Sequence, residues 1–192
     1  MYKRQVLRCA VDVASVEGLD GVTIGRLATE LSISKSGLFA HFGSKEELQL
    51  ATIRAARAIF SLAVVTPAMA QPPGMVRLRA LLDGWLDYSR SRAFPGGCFF
   101  SRATHEYAAR PSTVRDALRD ADDEWLGLVA GTIDQARELG EVRADVDSRQ
   151  VAYELDSYLD SANMRSLLGG DLAVYEAAKA AVESRLASIA AP

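Results

Sequence analysis

The sequence lacks the residues and runs that several classes of protein require. It has two cysteines and two histidines among 192 residues, and Cys9 and Cys98 form no CxxC or CxxH pattern. Neither a disulfide framework nor a zinc site is indicated. No uninterrupted apolar run reaches about 18 residues, so no membrane span is predicted. We expect a cytoplasmic protein that carries no metal and no cofactor.

The sequence also lacks an excess of positive charge. The formal net charge is −3 at pH 7, and the first 47 residues hold six basic and six acidic side chains. The total charge therefore gives no general attraction to nucleic acid. Any DNA-binding surface must come from the local placement of a few charges.

Catalytic constellations are missing as well. Cys98 and His105 would share a helix face, but seven residues rise roughly 10 Å along a helix, which is beyond hydrogen-bond reach. The sequence offers no glycine-rich phosphate loop and no Ser/His/Asp set. The acidic run DADDE, residues 120–124, points in successive directions around a helix and is typical of a solvated face. We therefore predict that the protein is not an enzyme.

The sequence is rich in the helical spacing of apolar residues. Apolar side chains recur three and four positions apart along the chain, and no clean strand alternation occurs. This pattern predicts an all-α fold of about nine helices, three short ones followed by six mostly longer ones. The stretch VTPAMAQPPG, residues 65–74, is predicted to be a linker, because its three prolines and glycine cannot continue a helix.

The stretch ELSISKSGLFAHFGSKEEL, residues 30–48, contains the end of one short helix, a polar turn, a second short helix and a new helix cap. The two helices are predicted at Ile24–Leu31 and Lys35–His41, with Ser34 as the cap of the second and Ser44 as the cap of the helix that follows. Two short helices joined in this way form a helix-turn-helix, whose second helix enters the major groove of DNA.

Small or flexible donors cluster at the helix starts of this unit. The residues that could reach base edges or phosphates are Ser34, Lys35, Ser36 and Gly37. Lys45 lies at the start of the fourth helix, where its charge and the free N–H groups could meet one phosphate. Thr23, which caps the second helix, could clamp the backbone in the same way.

The segment GLDGVTIGRLATELSISKSGLFAHFGSKEELQLATI resembles the DNA-binding domain of the TetR family of one-component bacterial transcriptional regulators. The similarity covers most of residues 2–55. It implies that Lys35, Ser36 and Gly37 face bases. It also implies that four residues lie near the phosphate backbone: Thr23, Phe39, His41 and Lys45. The family commonly has tyrosine where this chain has Phe39, so a phosphate-directed hydroxyl is missing, and the ring could equally belong to the core.

The resemblance further implies a helix-turn-helix domain in residues 1–45 and an effector-binding and dimerisation domain in residues 46–192. Aromatic and polar side chains of the fifth to seventh helices could enclose a small organic effector. These are Trp85, Tyr88, Cys98, Phe99, Arg102, His105 and Trp125. The wall offers chiefly one arginine, so we expect an apolar or aromatic effector. A solid core is the alternative interpretation of the same rings.

The last two helices carry apolar stripes that could form a four-helix bundle with a second chain. The predicted interface residues are Val151, Leu155, Tyr158, Leu159, Tyr175 and Val182. An intramolecular core is the alternative for these residues.

Together these features predict a ligand-responsive regulator of transcription. We expect a repressor that binds a near-palindromic operator in double-stranded DNA as a homodimer and is released by its effector. The alternative is a helical small-molecule carrier without DNA-binding activity.

Overall fold

The fold is all-helical, as the sequence predicts. The structure is a computed structural model, and it describes residues 2–192. Within them lie nine helices and no β-strand. The helices are α1 (Tyr2–Glu17), α2 (Ile24–Leu31), α3 (Lys35–Phe42), α4 (Lys45–Met69), α5 (Met75–Arg90), α6 (Phe99–Tyr107), α7 (Thr113–Glu138), α8 (Ser148–Gly169) and α9 (Ala173–Ile189).

By packing, the chain forms two compact units. Unit 1 contains the residues up to Ile59 together with Arg92–Ala121, and unit 2 contains Phe60–Ser91 and Asp122–Pro192. The first turns of α4 and the whole of α6 thus pack with the three N-terminal helices. The predicted boundary between a DNA-binding domain in residues 1–45 and an effector-binding domain in residues 46–192 concerns function, and it stays a prediction.

The core of unit 1 explains why three short helices hold together. Val6 and Ala10 of α1, Leu27 of α2 and Leu38 of α3 are all buried. Phe42, at the end of α3, is also buried, and the Lys3 ammonium of α1 lies 6.0 Å from its ring centre. Because α2 and α3 have eight residues each, their stability depends on this shared apolar contact.

The predicted caps of the short helices are confirmed. The Thr23 hydroxyl accepts the Arg26 N–H at 3.1 Å, and the Ser34 hydroxyl accepts the Gly37 N–H at 3.2 Å. The Ser44 hydroxyl accepts the backbone N–H three residues ahead, at 3.0 Å, where α4 begins. Each cap satisfies one of the N–H groups that a helix start leaves unpaired.

The predicted linker begins later than expected. Residues 65–69 continue α4, so the prediction that the helix stops before Val65 was wrong. A π turn at Ser61–Val65 precedes Pro67, which lies in the first turn of the closing segment Thr66–Met69. The π turn changes the hydrogen-bond register just before Pro67, and the helix continues although proline has no N–H to donate. Pro72 and Pro73 follow the end of the helix.

The length and composition of α4 would also allow a membrane span. This is weak evidence, because the core helix of a soluble protein passes the same test. Leu48, Ile53 and Ala56 are buried within unit 1, and Val64 is buried within unit 2. Part of the apolar surface of α4 is therefore covered by packing inside the protein, whereas Leu62 is 71% exposed.

Unit 2 is built on contacts among α5, α8 and α9. Its buried centre includes a polar network that joins all three helices. The Ser89 hydroxyl donates to the Asn163 side-chain oxygen at 3.0 Å and lies 2.8 Å from the Tyr175 hydroxyl, which is 3.0 Å from the Ser166 hydroxyl. A satisfied buried network fixes how the helices align, because sliding one helix would leave polar groups without partners.

The loop between α5 and α6 lies directly on α1 within unit 1. The Gly96 N–H donates to the Ser15 hydroxyl at 3.0 Å, and an Arg8 guanidinium N–H donates to the Ala93 carbonyl at 2.8 Å. A β-carbon at position 96 would lie 1.9 Å from the Ser15 carbonyl oxygen, so only glycine fits this approach.

Candidate functional site

The start of α3 presents the predicted base-reading residues. Ser34, Lys35 and Ser36 are exposed, and Gly37 is half-buried. A β-carbon on Gly37 would lie 3.0 Å from the Ser34 hydroxyl oxygen and would press on the cap. Glycine here keeps the cap intact and leaves the backbone open to a close approach. The side chains of this turn and its free N–H groups can all reach a ligand outside the chain.

Lys45, at the start of α4, is held by an acidic neighbour. Its ammonium lies 3.2 Å from the Asp20 carboxylate, and both side chains are about half exposed. Arg110 donates to the other oxygen of the same carboxylate at 2.5 Å, and the Tyr107 hydroxyl donates to the oxygen nearest Lys45 at 3.0 Å. The hydrogen bond from Arg110, and next the one from Lys45, lower the pKa of Asp20 to about 2. Asp20 is therefore an anion at neutral pH and keeps two cations beside it.

The turn between α1 and α2 is fixed by α6. The Glu106 carboxylate accepts the Leu19 N–H at 2.7 Å and the Asp20 N–H at 3.0 Å. From α4, the Gln49 amide donates to the Leu19 carbonyl and to the Tyr107 hydroxyl, both at 2.9 Å. We call these residues, with Asp20 and Arg110, the turn clamp. Sequence reasoning missed the turn clamp, because Glu106 lies more than eighty positions from the turn and no local pattern links the two.

The other predicted DNA-contact residues lie around this surface. Thr23 is half-buried, and its hydroxyl oxygen serves the cap while its own O–H remains a donor. His41 is exposed near the end of α3. Phe39 is 59% exposed, so it does not belong to the core of unit 1.

The predicted effector residues divide between the two units. In unit 1, Cys98 and Phe99 are buried, whereas Arg102 and His105 are exposed. The His105 ring nitrogen Nδ1 lies 2.6 Å from the Ser101 carbonyl oxygen of its own helix. Arg102 and His105 are thus open to solvent in this structure, and their contact with an effector stays a prediction. The inward positions of α6 are taken by Phe99 and by two further buried residues, Ala103 and Tyr107.

The remaining three, Trp85, Tyr88 and Trp125, lie in unit 2 with a ring that sequence reasoning missed. Phe60 makes edge contacts with Tyr88 and with Trp125, each at 5.3 Å between ring centres. Phe60, Tyr88 and Trp125 form the ring cluster. Trp85 is also buried, and it lies on α5 about one helical turn before Tyr88.

A shielded carboxylate adjoins the ring cluster. The Trp125 indole N–H donates to Asp156 at 2.9 Å. Burial raises the pKa of Asp156 to about 6, and repulsion from Asp122 and Asp160 adds to the rise, while the indole hydrogen bond opposes it. The pKa of Asp122 is raised as well, chiefly by burial. Asp156 thus changes charge close to neutral pH. Among residues 2–192, no group of three potential metal ligands comes together here or elsewhere.

The predicted dimer residues are mostly covered within one chain. Val151, Leu155, Leu159, Tyr175 and Val182 are buried in unit 2, and Tyr158 is half-buried. Other residues of the same helices face outward. We call them the outer stripe: Tyr153, Met164 and Leu168 of α8, and Ala173, Ala177, Ala180 and Ala187 of α9.

Asp156 should make the stability of the protein depend on pH. Its pKa lies above the ordinary value of 3.8, so the folded state binds the proton more tightly than the unfolded state does. Stability should therefore fall as pH rises from about 4 through 6. Asp156→Asn should raise the free energy of unfolding at pH 8 by roughly 1–3 kcal/mol and flatten this dependence, as measured by urea denaturation from pH 4 to 8.

Asp145→Asn is the matched control, because the Arg143 guanidinium lowers the pKa of that exposed carboxyl. This control should not stabilise the protein at pH 8. An Asp156→Asn protein less stable than wild type at pH 8 would contradict the assignment.

Models of known protein families match both the N-terminal and the C-terminal part of the chain. Residues 6–52 match the family described as bacterial regulatory proteins, tetR family, and residues 74–182 match a tetracyclin repressor-like C-terminal domain. No curated protein matches the chain.

Solved structures with the same fold are regulators from several bacteria. A TetR transcriptional regulator from Chloroflexus aurantiacus is 24% identical with a TM-score of 0.85, covering 99% of this chain and 98% of that one. A TetR-family regulator from Streptomyces coelicolor is 26% identical with a TM-score of 0.81, covering 98% and 95%. A putative transcriptional regulator from Saccharomonospora viridis, in complex with choline, is 21% identical with a TM-score of 0.77, covering 100% and 99%. Because family matches cover both the N-terminal helices and more than half of the chain beyond them, the protein belongs to the TetR family of bacterial transcriptional regulators.

Proposed function

We propose that this regulator binds a near-palindromic operator as a dimer, represses transcription there, and leaves the DNA when a small organic effector binds. The observation that carries the proposal is the exposed start of α3, with Lys35 and Ser36, together with the exposed Lys45 at the start of α4. The first surface suits base edges in the major groove, and the second suits a backbone phosphate.

Asp20 and a DNA phosphate would compete for the Lys45 ammonium group. An exposed ion pair contributes about 1 kcal/mol or less, so a phosphate can draw Lys45 away at small cost. Arg110 remains beside Asp20 when this happens and keeps the carboxylate paired. Asp20 therefore positions the lysine in the free protein without preventing its use on DNA.

The first experiment tests this phosphate contact. Lys45→Ala should weaken binding to every duplex to a similar extent and reduce the slope of log affinity against log salt by about one unit. The measurement is fluorescence anisotropy of labelled duplexes over a range of salt concentrations. Changes at Lys35 or Ser36 should instead alter which sequences bind, because those side chains are proposed to reach bases.

Lys179→Ala is the matched control. Lys179 is also about half exposed and is also paired with a carboxylate, Asp83 at 3.0 Å, but it belongs to unit 2. Its loss should leave affinity and salt slope unchanged. If Lys45→Ala behaves like Lys179→Ala, Lys45 does not hold a phosphate.

We propose that the second chain packs on the outer stripe. The stripe combines exposed apolar side chains on α8 with alanines spaced three, four and seven apart on α9, which allow close helix packing. The buried residues predicted from the sequence would then support this surface from beneath. A symmetric dimer would bring the two α3 helices to successive major grooves of a near-palindrome.

A charge in the outer stripe should break the dimer. Met164→Glu would bury an unpaired carboxylate between chains, so sedimentation should show monomers with reduced operator affinity. Leu139→Glu is the control, because Leu139 is 56% exposed and Met164 is 51% exposed, but Leu139 lies outside the stripe. Leu155→Glu is unsuitable, since Leu155 is fully buried and the change would unfold the monomer. A Met164→Glu protein that stays dimeric would rule out this interface.

The effector proposal rests on the ring cluster and Trp85, which favour a small apolar or aromatic molecule. The structure of the Saccharomonospora viridis regulator, which shares the fold, is a complex with choline, a small organic molecule. The chain has only two tryptophans, Trp85 and Trp125. An effector at this site should therefore change tryptophan emission over the same concentrations that release operator DNA. Release of DNA with unchanged emission would place the effector elsewhere.

Selection of binding sites from a random duplex library tests the function as a whole. Enrichment of a two-fold-symmetric motif is the expected result, because a symmetric dimer reads two half-sites. Failure to enrich any motif would favour the carrier interpretation. A cytoplasmic location follows from the proposal, since the operator is there.

A further inference from the structure

Phe39 is the feature of α3 that the proposed phosphate and base contacts leave unexplained. It lies four residues after Lys35 and three after Ser36, so the three side chains share one face of the helix. That face is exposed, and 59% of Phe39 is accessible to solvent. The adjoining face, with Leu38 and Phe42, is buried in unit 1.

The ring is not needed to hold α3 in place. Leu38 is fully buried and Phe42 is 7% exposed, and these two anchor the helix. A phenylalanine on an eight-residue helix whose other exposed side chains are small or polar leaves apolar surface in water. A single exposed apolar residue is common on protein surfaces. Phe39, however, lies on the face that is proposed to enter the major groove, where its ring would meet the base pairs.

We propose that Phe39 determines specificity by packing its ring against the C5-methyl group of a thymine in the operator. This inference rests on the proposed function. The thymine methyl is the apolar group that base pairs present in the major groove, and phenylalanine is among the side chains that contact it. Phenylalanine has no hydroxyl, so it cannot donate to a phosphate as a tyrosine would. Phe39 therefore belongs with Lys35 and Ser36 as a base reader.

The test uses the duplex that wild-type protein enriches from the random library. Each thymine is replaced singly by deoxyuridine, which removes only the methyl group. One replacement in a half-site should weaken wild-type binding about four-fold, the effect of losing one buried methyl-sized group, and the others should have little effect. Phe39→Ala should bind the thymine duplex more weakly and should no longer distinguish thymine from deoxyuridine at that position.

Phe39→Tyr is the matched control, because it keeps the ring and should keep the sensitivity to deoxyuridine. Circular dichroism should show that each variant is folded, as expected for an exposed position. If Phe39→Ala remains as sensitive as wild type to every replacement, the ring does not read a methyl group. If Phe39→Ala weakens all duplexes while wild type ignores every replacement, the ring contacts sugar or backbone, and the inference is wrong.

These outcomes are distinct from failure of the proposed function. A protein that enriches no motif fails before any deoxyuridine is introduced. A protein that enriches a symmetric motif but shows no Phe39-dependent methyl effect remains a regulator with a different base reader.

Discussion

The placement of the DNA-contact surface depends on a turn of three residues, Leu19–Gly21, between α1 and α2. This turn cannot stabilise itself, because two of its backbone N–H groups have no partner inside it. Glu106 accepts both of them, and its carboxylate thereby ties α6 to the N-terminal helices. Asp20, within this turn, pairs with the Lys45 ammonium. The position of Lys45, the lysine proposed to hold a phosphate, is thus set by a helix that is far away in the sequence.

Local features of the sequence predicted the fold well. The caps at Thr23 and Ser34 and the order of the helices follow from contacts between residues three or four apart. The continuation of α4 through Pro67 did not, because a π turn changes which N–H groups need partners. The family signature in the first 52 residues also depends on local order, which explains why one sequence was enough to recognise it.

Long-range features were beyond the sequence for a physical reason. A periodic apolar stripe shows that a helix face is covered, but not what covers it. Leu155 and Val182 were predicted to meet a second chain, and they are buried within their own. Phe60 and Asp156 were missed in the same way, since a ring and a carboxylate become a cluster only when α4, α7 and α8 meet. The aromatic residues proposed to bind an effector could be named from the sequence, but the residues that contact them could not.

The contact between Gly96 and Ser15 restricts the substitutions that this part of the sequence can accept during evolution. Position 96 is closed to every side chain, since even a methyl group would overlap a backbone oxygen of α1. Moving the loop to make room would break the hydrogen bonds at Ser15 and Ala93 together. Substitutions at the loop and along the end of α1 are therefore linked. Homologues that replace this glycine should also carry a rebuilt loop, so its length and sequence would change as one block.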